Sequence, residues 1–257
     1  MNYRINWIAF VTIIRKEIYR FMRIWPQTIF PVAITMSLYF AIFGKLIGSR
    51  IGQVDGVDYI LFIVPGLIMM AVITNTYANV SSSFHFSKML RELEGLLVAP
   101  VANITIILAY ALGAVARGLL IGSIVILVSL FFTDIYIASP LLMLLVVFLS
   151  SFLFALAGLA NAVFAKTVDD ISFIPTFVLT PLTYLGGVFF SIDMLAQPWQ
   201  SLAWFNPILY IVRAFRYCML GISEVSVWGS LGIIITFIIG LLLLNLYLFR
   251  YSKGIRG

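Results

Sequence analysis

Apolar residues gather into stretches at about 25–46, 59–79, 112–132, 140–164, 171–190 and 227–249, each close to the roughly 20 residues that an α-helix needs to cross a hydrocarbon core. Ahead of them the pattern differs. From 6 to 23, Trp7, Val11, Ile14, Ile18 and Phe21 recur at helical spacing, with Lys16, Arg20 and Arg23 on another face. That spacing predicts an amphipathic interface helix with a basic side. Resting among headgroups and docking a cytosolic partner are both open to it. Its basic cluster follows the apolar residues and no A-x-A site appears, so it does not read as a secretory signal.

The polar interruption that organises the rest is SSSFHFSKMLRELEGLLVAPV, Ser81 to Val101, which holds the single histidine, His85, with Lys88, Arg91, Glu92 and Glu94. Its charges predict a solvated connection. The apolar run that follows, Asn103 to Phe132, exceeds one crossing. Counting back from Phe132 puts membrane entry near Leu112, so residues 101–111 are expected to continue the connection as helix. Arg117 then lies about 7 to 8 Å inside, within reach of the headgroups by snorkelling, although an intramembrane arginine can also mark a functional site. Gly118 and Gly122 form a GxxxG pair that permits close helix approach, within one subunit or between two. Pro175, Pro181 and Gly186-Gly187 predict that the fifth span is not a straight helix.

Between the fifth and sixth spans, Asn206-Pro207 divides the connection into two pieces, each too short to span. Two re-entrant half-helices are the expected solution, buried against protein or lining a water-filled cavity. Arg213 and Arg216 share a face of the second piece. They either mark the outer headgroup level or meet an anionic group.

With 63% hydrophobic and 10% charged residues, the chain is far more apolar than a soluble domain. The fold class is therefore all-α integral membrane, one domain over 1–257 with six transmembrane helices, the interface helix 6–23 and the re-entrant outer hairpin. One cysteine and one histidine exclude an internal disulfide and a His/Cys metal cluster, so no metal is expected. The net charge of +6 reflects topology rather than nucleic-acid binding. One side holds Arg4, Arg15, Lys16, Arg20, Arg23, Lys88, Arg91, Lys166, Arg250, Lys253 and Arg256; the other holds Lys45, Arg50, Arg213 and Arg216. The basic excess predicts that both termini and the 81–101 connection are cytosolic. No G-x-x-x-x-G-K-[ST] loop, nucleophile triad or pair of carboxylates in an apolar pocket appears, so no catalytic residue is assigned.

The segment PLTYLGGVFFSIDMLAQPWQSLAWFNPILYIVRAFRYCMLG resembles the C-terminal pattern of ABC-2 type transporter permeases, the membrane subunits of bacterial ABC exporters, through Gly186, Gly187, Phe189, Pro198, Trp199, Asn206, Pro207, Tyr210, Arg216, Leu220 and Gly221. Arg91, Glu92, Glu94, Leu96, Leu97, Val98, Ala99 and Pro100 are similar to the family's acidic-basic segment, with Gly95 after Glu94 rather than the commoner Gly-Thr before the last acid. Arg15-Lys16-Glu17 resembles its interface helix. The resemblance implies an inner-membrane permease that exports a drug-like, lipid or polysaccharide substrate. It implies a homodimer surrounded by membrane lipids, with a separate cytosolic ATPase docked on Arg15, Lys16, Glu17, Arg91, Glu92, Glu94 and Pro100. No cofactor is then bound by this chain, and ATP and Mg belong to the partner. The alternatives are a secondary transporter or channel not coupled to ATP, which would place ionisable groups at mid-membrane, and a lipid-modifying enzyme, for which the scattered acids offer no cluster.

Overall fold

A computed structural model describes residues 3–221 and 226–251. Lys253 and Arg256 lie outside the described residues. Among those described, helices are long and apolar enough to cross a membrane at Trp25–Ile51 (α2), Tyr59–Met89 (α3), Asn103–Ser129 (α5), Pro140–Phe164 (α6) and Val227–Tyr251 (α10). They are joined by Tyr3–Arg23 (α1), Glu92–Val98 (α4), a broken helix over 168–184 (α7), Gln197–Ala203 (α8) and Pro207–Leu220 (α9).

The bundle is built around α3. Its hydropathic window is 72% buried, against 17% for α2 and 22% for α10, so α3 is the axis and those two lie outside it. α5, α6 and α9 pack on it. Close approach relies on missing Cβ atoms. One added at Gly66 would sit 2.8 Å from the Val188 backbone, and one at Gly158 would sit 2.7 Å from the Tyr77 carbonyl.

One boundary differs from expectation: the helix of the second span does not end near Asn79 but continues unbroken to Met89. α5 runs as one helix from Asn103 through Leu112, in line with the expected helical continuation. At about 1.5 Å per residue both helices exceed the roughly 30 Å hydrocarbon core and overhang it at one end. The connection shrinks to Leu90-Arg91, the short α4 and an extended link through Ala99. Arg91 takes the left-handed conformation, φ +58°, which turns the chain sharply into α4.

The predicted fifth span is not among the long apolar helices. A capping box at Thr167, whose Oγ1 accepts from Asp170 N at 3.2 Å, starts α7 at Val168, earlier than expected. The helix then widens into a π-helical turn at Pro175–Leu179 before closing as Thr180–Tyr184. The prolines, which lack an N–H, account for the break. α2 has a similar π-helical stretch, Phe40–Ile47. Beyond it, Gln53–Val54 and Val57–Asp58 form a minute hairpin, and Asp55 and Gly56 both take positive φ in its turn.

Candidate coupling elbow and outer hairpin

The end of the bundle where α3 turns into α4 carries a chain of polar contacts that begins on α1. Asn6 Oδ1 accepts from Ala102 N at 2.8 Å and from Thr105 Oγ1 at 3.2 Å. Lys16 Nζ donates to Glu92 and, at 3.3 Å, to Ser87 Oγ. Ser83 Oγ donates to Glu17 Oε1 at 2.6 Å. Arg20 donates to Asn79 Oδ1 at 2.7 Å and to Glu17 Oε2 at 3.1 Å. Along α1 the partners on α3 descend from Ser87 to Asn79, so α1 runs antiparallel to the overhang of α3 and alongside α5.

This corrects the reading of α1 by apolar periodicity. The buried stripe is Ile13, Glu17 and Phe21, while Trp7 is 66% exposed. Glu17 was expected on a partner-facing surface, yet it has no exposure, because Gly113 on α5 leaves room for it: an added Cβ would sit 2.5 Å from Glu17 Cβ. A carboxylate so placed needs paired donors, and Arg20 and Ser83 supply them. Arg117 joins the same hub. It donates to Asn79 Oδ1 at 3.2 Å and to Asn75 Oδ1 at 3.3 Å, so its guanidinium is engaged inside the bundle.

Nor is the first half of the 81–101 connection a solvated loop. Ser81, Ser83, His85 and Ser87 are buried on the helical extension of α3. Lys88 turns inward and donates to the carbonyl oxygens of Ala162, Val163 and Ala165 at 3.2, 3.1 and 2.6 Å. It thus satisfies acceptors that the C-terminus of α6 leaves free, where a cation also complements the helix dipole. Solvent reaches the tip instead. Arg15, Arg91, Glu94 and Pro100 are exposed, beside the exposed apolar residues Met89, Leu90 and Val98. Arg91 and Glu94 pair loosely at 3.8 Å. The hydrogen bond from Lys16 holds the Glu92 carboxyl below its usual range.

At the opposite end the C-terminal motif residues converge. The Asn206 side chain accepts from Ile208 N at 3.0 Å, capping α9 just before Pro207, and donates to the Leu182 carbonyl at 2.6 Å. Gly186 admits Ile208, whose Cγ2 would lie 2.7 Å from an added Cβ. Gly187 has φ +73°, and its carbonyl accepts from Arg216 at 2.8 Å while that guanidinium lies over the Phe62 ring at 3.8 Å. Tyr210 donates to the Trp204 carbonyl at 2.8 Å, and buried Arg213 stacks on Trp204 at 4.8 Å.

Gly118 and Gly122 face inward. An added Cβ at Gly118 would meet Thr76 on α3 and lie 2.5 Å from Ser151 Oγ on α6; at Gly122 it would lie 3.1 Å from Val72. They serve helix packing inside the subunit.

The polar hub was the least visible feature in the sequence. Asn75, Asn79 and Ser83 stand four residues apart on an otherwise apolar span, and Gly113 and Arg117 repeat that spacing on α5. Such a stripe of polar residues is the signal that could have located it.

Long apolar helices closed around one another, with few charges along them, define a multi-pass membrane protein. The model of the ABC-2 type transporter family matches residues 8–220, and the chain belongs to that family. It is 54% identical over 251 residues, 98% of each chain, to "Inner membrane transport permease YadH" of Escherichia coli (strain K12). More distant relatives are "Nodulation protein J" of Rhizobium leguminosarum bv. viciae, 26% identical over 208 residues and 80% of each chain, and "Nodulation protein J" of Rhizobium meliloti (strain 1021), 26% identical over 230 residues, 88% of this chain and 86% of the relative. The chain is a transport permease of the inner membrane.

Proposed function

We propose that this permease is the membrane subunit of an ATP-driven exporter, paired with a second copy of itself and docked on a separate cytosolic ATPase. The observation that carries the reading is the elbow. It is continuous with two spans, fastened to α1 through Lys16 and to the end of α6 through Lys88. Its tip still offers exposed Met89, Leu90 and Val98 beside Arg91 and Glu94. Apolar side chains ringed by charge on a chain that carries no nucleotide loop suit a protein partner that supplies the ATP chemistry. In this reading the elbow end and both termini are cytosolic. The broken helix α7 is the sixth crossing, and α8 and α9 are the re-entrant outer hairpin.

The ATPase would bind the tip differently in its open and closed states, and that difference is the coupling free energy. Because the elbow is tied on both sides, its movement carries α1, α3, α5 and α6 together, opening a path for a drug-like, lipid or polysaccharide cargo.

Purification from membranes in mild detergent tests this. An ATPase should accompany the permease, with hydrolysis that responds to cargo. Changing Arg91, Glu92 and Glu94 together to alanine should abolish transport while the permease remains folded. A chain that purifies alone and moves a solute into liposomes without ATP is instead a secondary transporter or channel.

A further inference from the structure

The hub where α1 meets α3 and α5 is short of negative charge. Two guanidiniums, Arg20 and Arg117, share the acceptor Asn79 Oδ1, and the carboxylate of the hub, Glu17, bonds to Arg20 and not to Arg117. The buried donors Arg20 Nε, Arg117 Nε and Asn79 Nδ2 have no hydrogen-bond acceptor. Buried donors normally find one, and of these three only Arg20 Nε belongs to a residue that also lines a groove. The hub also has an opening. A groove of about 820 Å³ at the junction of α1 and α2 is lined by Tyr19, Arg20, Met22, Arg23 and Ile24. Arg20 reaches both the hub and the groove, with its side chain 30% exposed. Arg23 is exposed and makes no ion pair among the described residues.

Depth determines what can fill the groove. Asn79 lies about 30 Å along α3 from Tyr59, which is the thickness of a hydrocarbon core, so the groove sits at headgroup level. Tyr19 and Trp25, both exposed, are the aromatic residues expected at that level. A ligand here meets cationic donors on its inner side and apolar Met22 and Ile24 beside them.

We propose that the groove binds an anionic phospholipid of the adjoining leaflet, its phosphate held by Arg20 and Arg23 and its glycerol and upper acyl chains against Tyr19, Met22 and Ile24. The lipid contributes the second negative charge of the hub, so that α1 is seated on the bundle through the bilayer as well as through protein contacts. This stands apart from whether an ATPase docks at the elbow, and its test involves no transport.

The full chain is purified in detergent, and the retention of phosphatidylglycerol and phosphatidylcholine is compared by native mass spectrometry, with thermal unfolding measured after each is added. Phosphatidylglycerol should be retained preferentially and raise the unfolding temperature. Arg23→Ala, an exposed change that leaves the hub intact, should weaken that retention about fivefold, the factor that corresponds to about 1 kcal/mol for one basic residue at an anionic surface. Arg15→Ala, on α1 but outside the groove, should leave it unchanged. Equal retention of the two lipids overturns the proposal, as does an equal loss in Arg15→Ala, which would reduce the effect to general surface charge. Inorganic phosphate at millimolar concentration should not reproduce the stabilisation; if it does, the occupant is a free anion and the lipid assignment fails.

Discussion

The two ends of the bundle are held by different chemistry. At the elbow, helices are joined largely by side chain to side chain contacts, Lys16 with Glu92, Glu17 with Ser83, Arg20 with Asn79 and Arg117 with Asn75 and Asn79, while Lys88 reaches backbone carbonyls at the end of α6. At the opposite end, around α8 and α9, side chains fasten to backbone carbonyls and rings instead, as Asn206 does to Leu182, Arg216 to Gly187 and Phe62, and Tyr210 to Trp204. Glycines there admit neighbouring backbone directly. A network of flexible charged side chains can exchange partners as helices shift, whereas a cap on a fixed carbonyl keeps one geometry.

Changes at each end should therefore differ in kind, and the largest loss is expected inside the hub. Glu17→Ala takes from the partly exposed Arg20 the carboxylate it pairs with among the described residues, and from buried Ser83 its acceptor, and should destabilise the purified permease by about 1 to 3 kcal/mol, read as a lowered unfolding temperature. Glu17→Gln, which keeps the shape, should recover part of that loss. Full stability in Glu17→Ala would show that the hub does not hold α1.

At the end opposite the elbow, Gly66→Ala forces a Cβ against the Val188 backbone, 2.8 Å away, where no rotamer change relieves the contact. A cost of about 1 to 3 kcal/mol is expected, visible in thermal unfolding and in membrane yield. Asn206→Ala should cost about 1 kcal/mol through the lost cap of α9, and Asn206→Asp, which restores the acceptor for Ile208 N, should separate the cap from the bond to Leu182.

The smallest effect belongs to the clasp. Lys16 and Glu92 are both substantially exposed, so Lys16→Ala should change stability by under about 1 kcal/mol. Its signature is pH. The Glu92 carboxyl is held low by Lys16, so its contribution is complete above the ordinary carboxylate pKa and fades as pH falls through the depressed folded value. Wild-type protein and Lys16→Ala should converge in acid and diverge slightly at neutral pH. A difference that grows on acidification would assign Glu92 another partner.

Much of this was legible from single positions. Runs of Leu, Ile, Val and Phe mark α2, α3, α5, α6 and α10 because burial in lipid demands uniform apolarity over the span. Pro175 and Pro181, each lacking an N–H, announced a broken fifth segment, although Pro65 sits within the continuous α3. Gly186, Gly187 and Asn206-Pro207 carry their meaning locally, through caps and close approach. Glu17, Lys88 and Arg117 could not be read that way. As isolated charges they suggest solvent, and the partners that bring them inside are distant in the chain: Glu17 bonds to Ser83 and Lys88 to Ala165.

What the sequence determined by itself is which stretches are apolar enough to lie in lipid and where the fifth segment must bend. Those follow from transfer free energy and backbone geometry, properties of short segments. The tertiary structure decided which charges are outward and which are structural. That outcome depends on whether a second helix, at a distance such as Gly113 permits, places donors and acceptors within about 3 Å of one another. Glu17 and Glu92 are alike in type and both bonded to lysine or arginine. One is sealed beneath α5 and the other stands at the elbow's surface, and only the packing of α1 against α3 and α5 separates them.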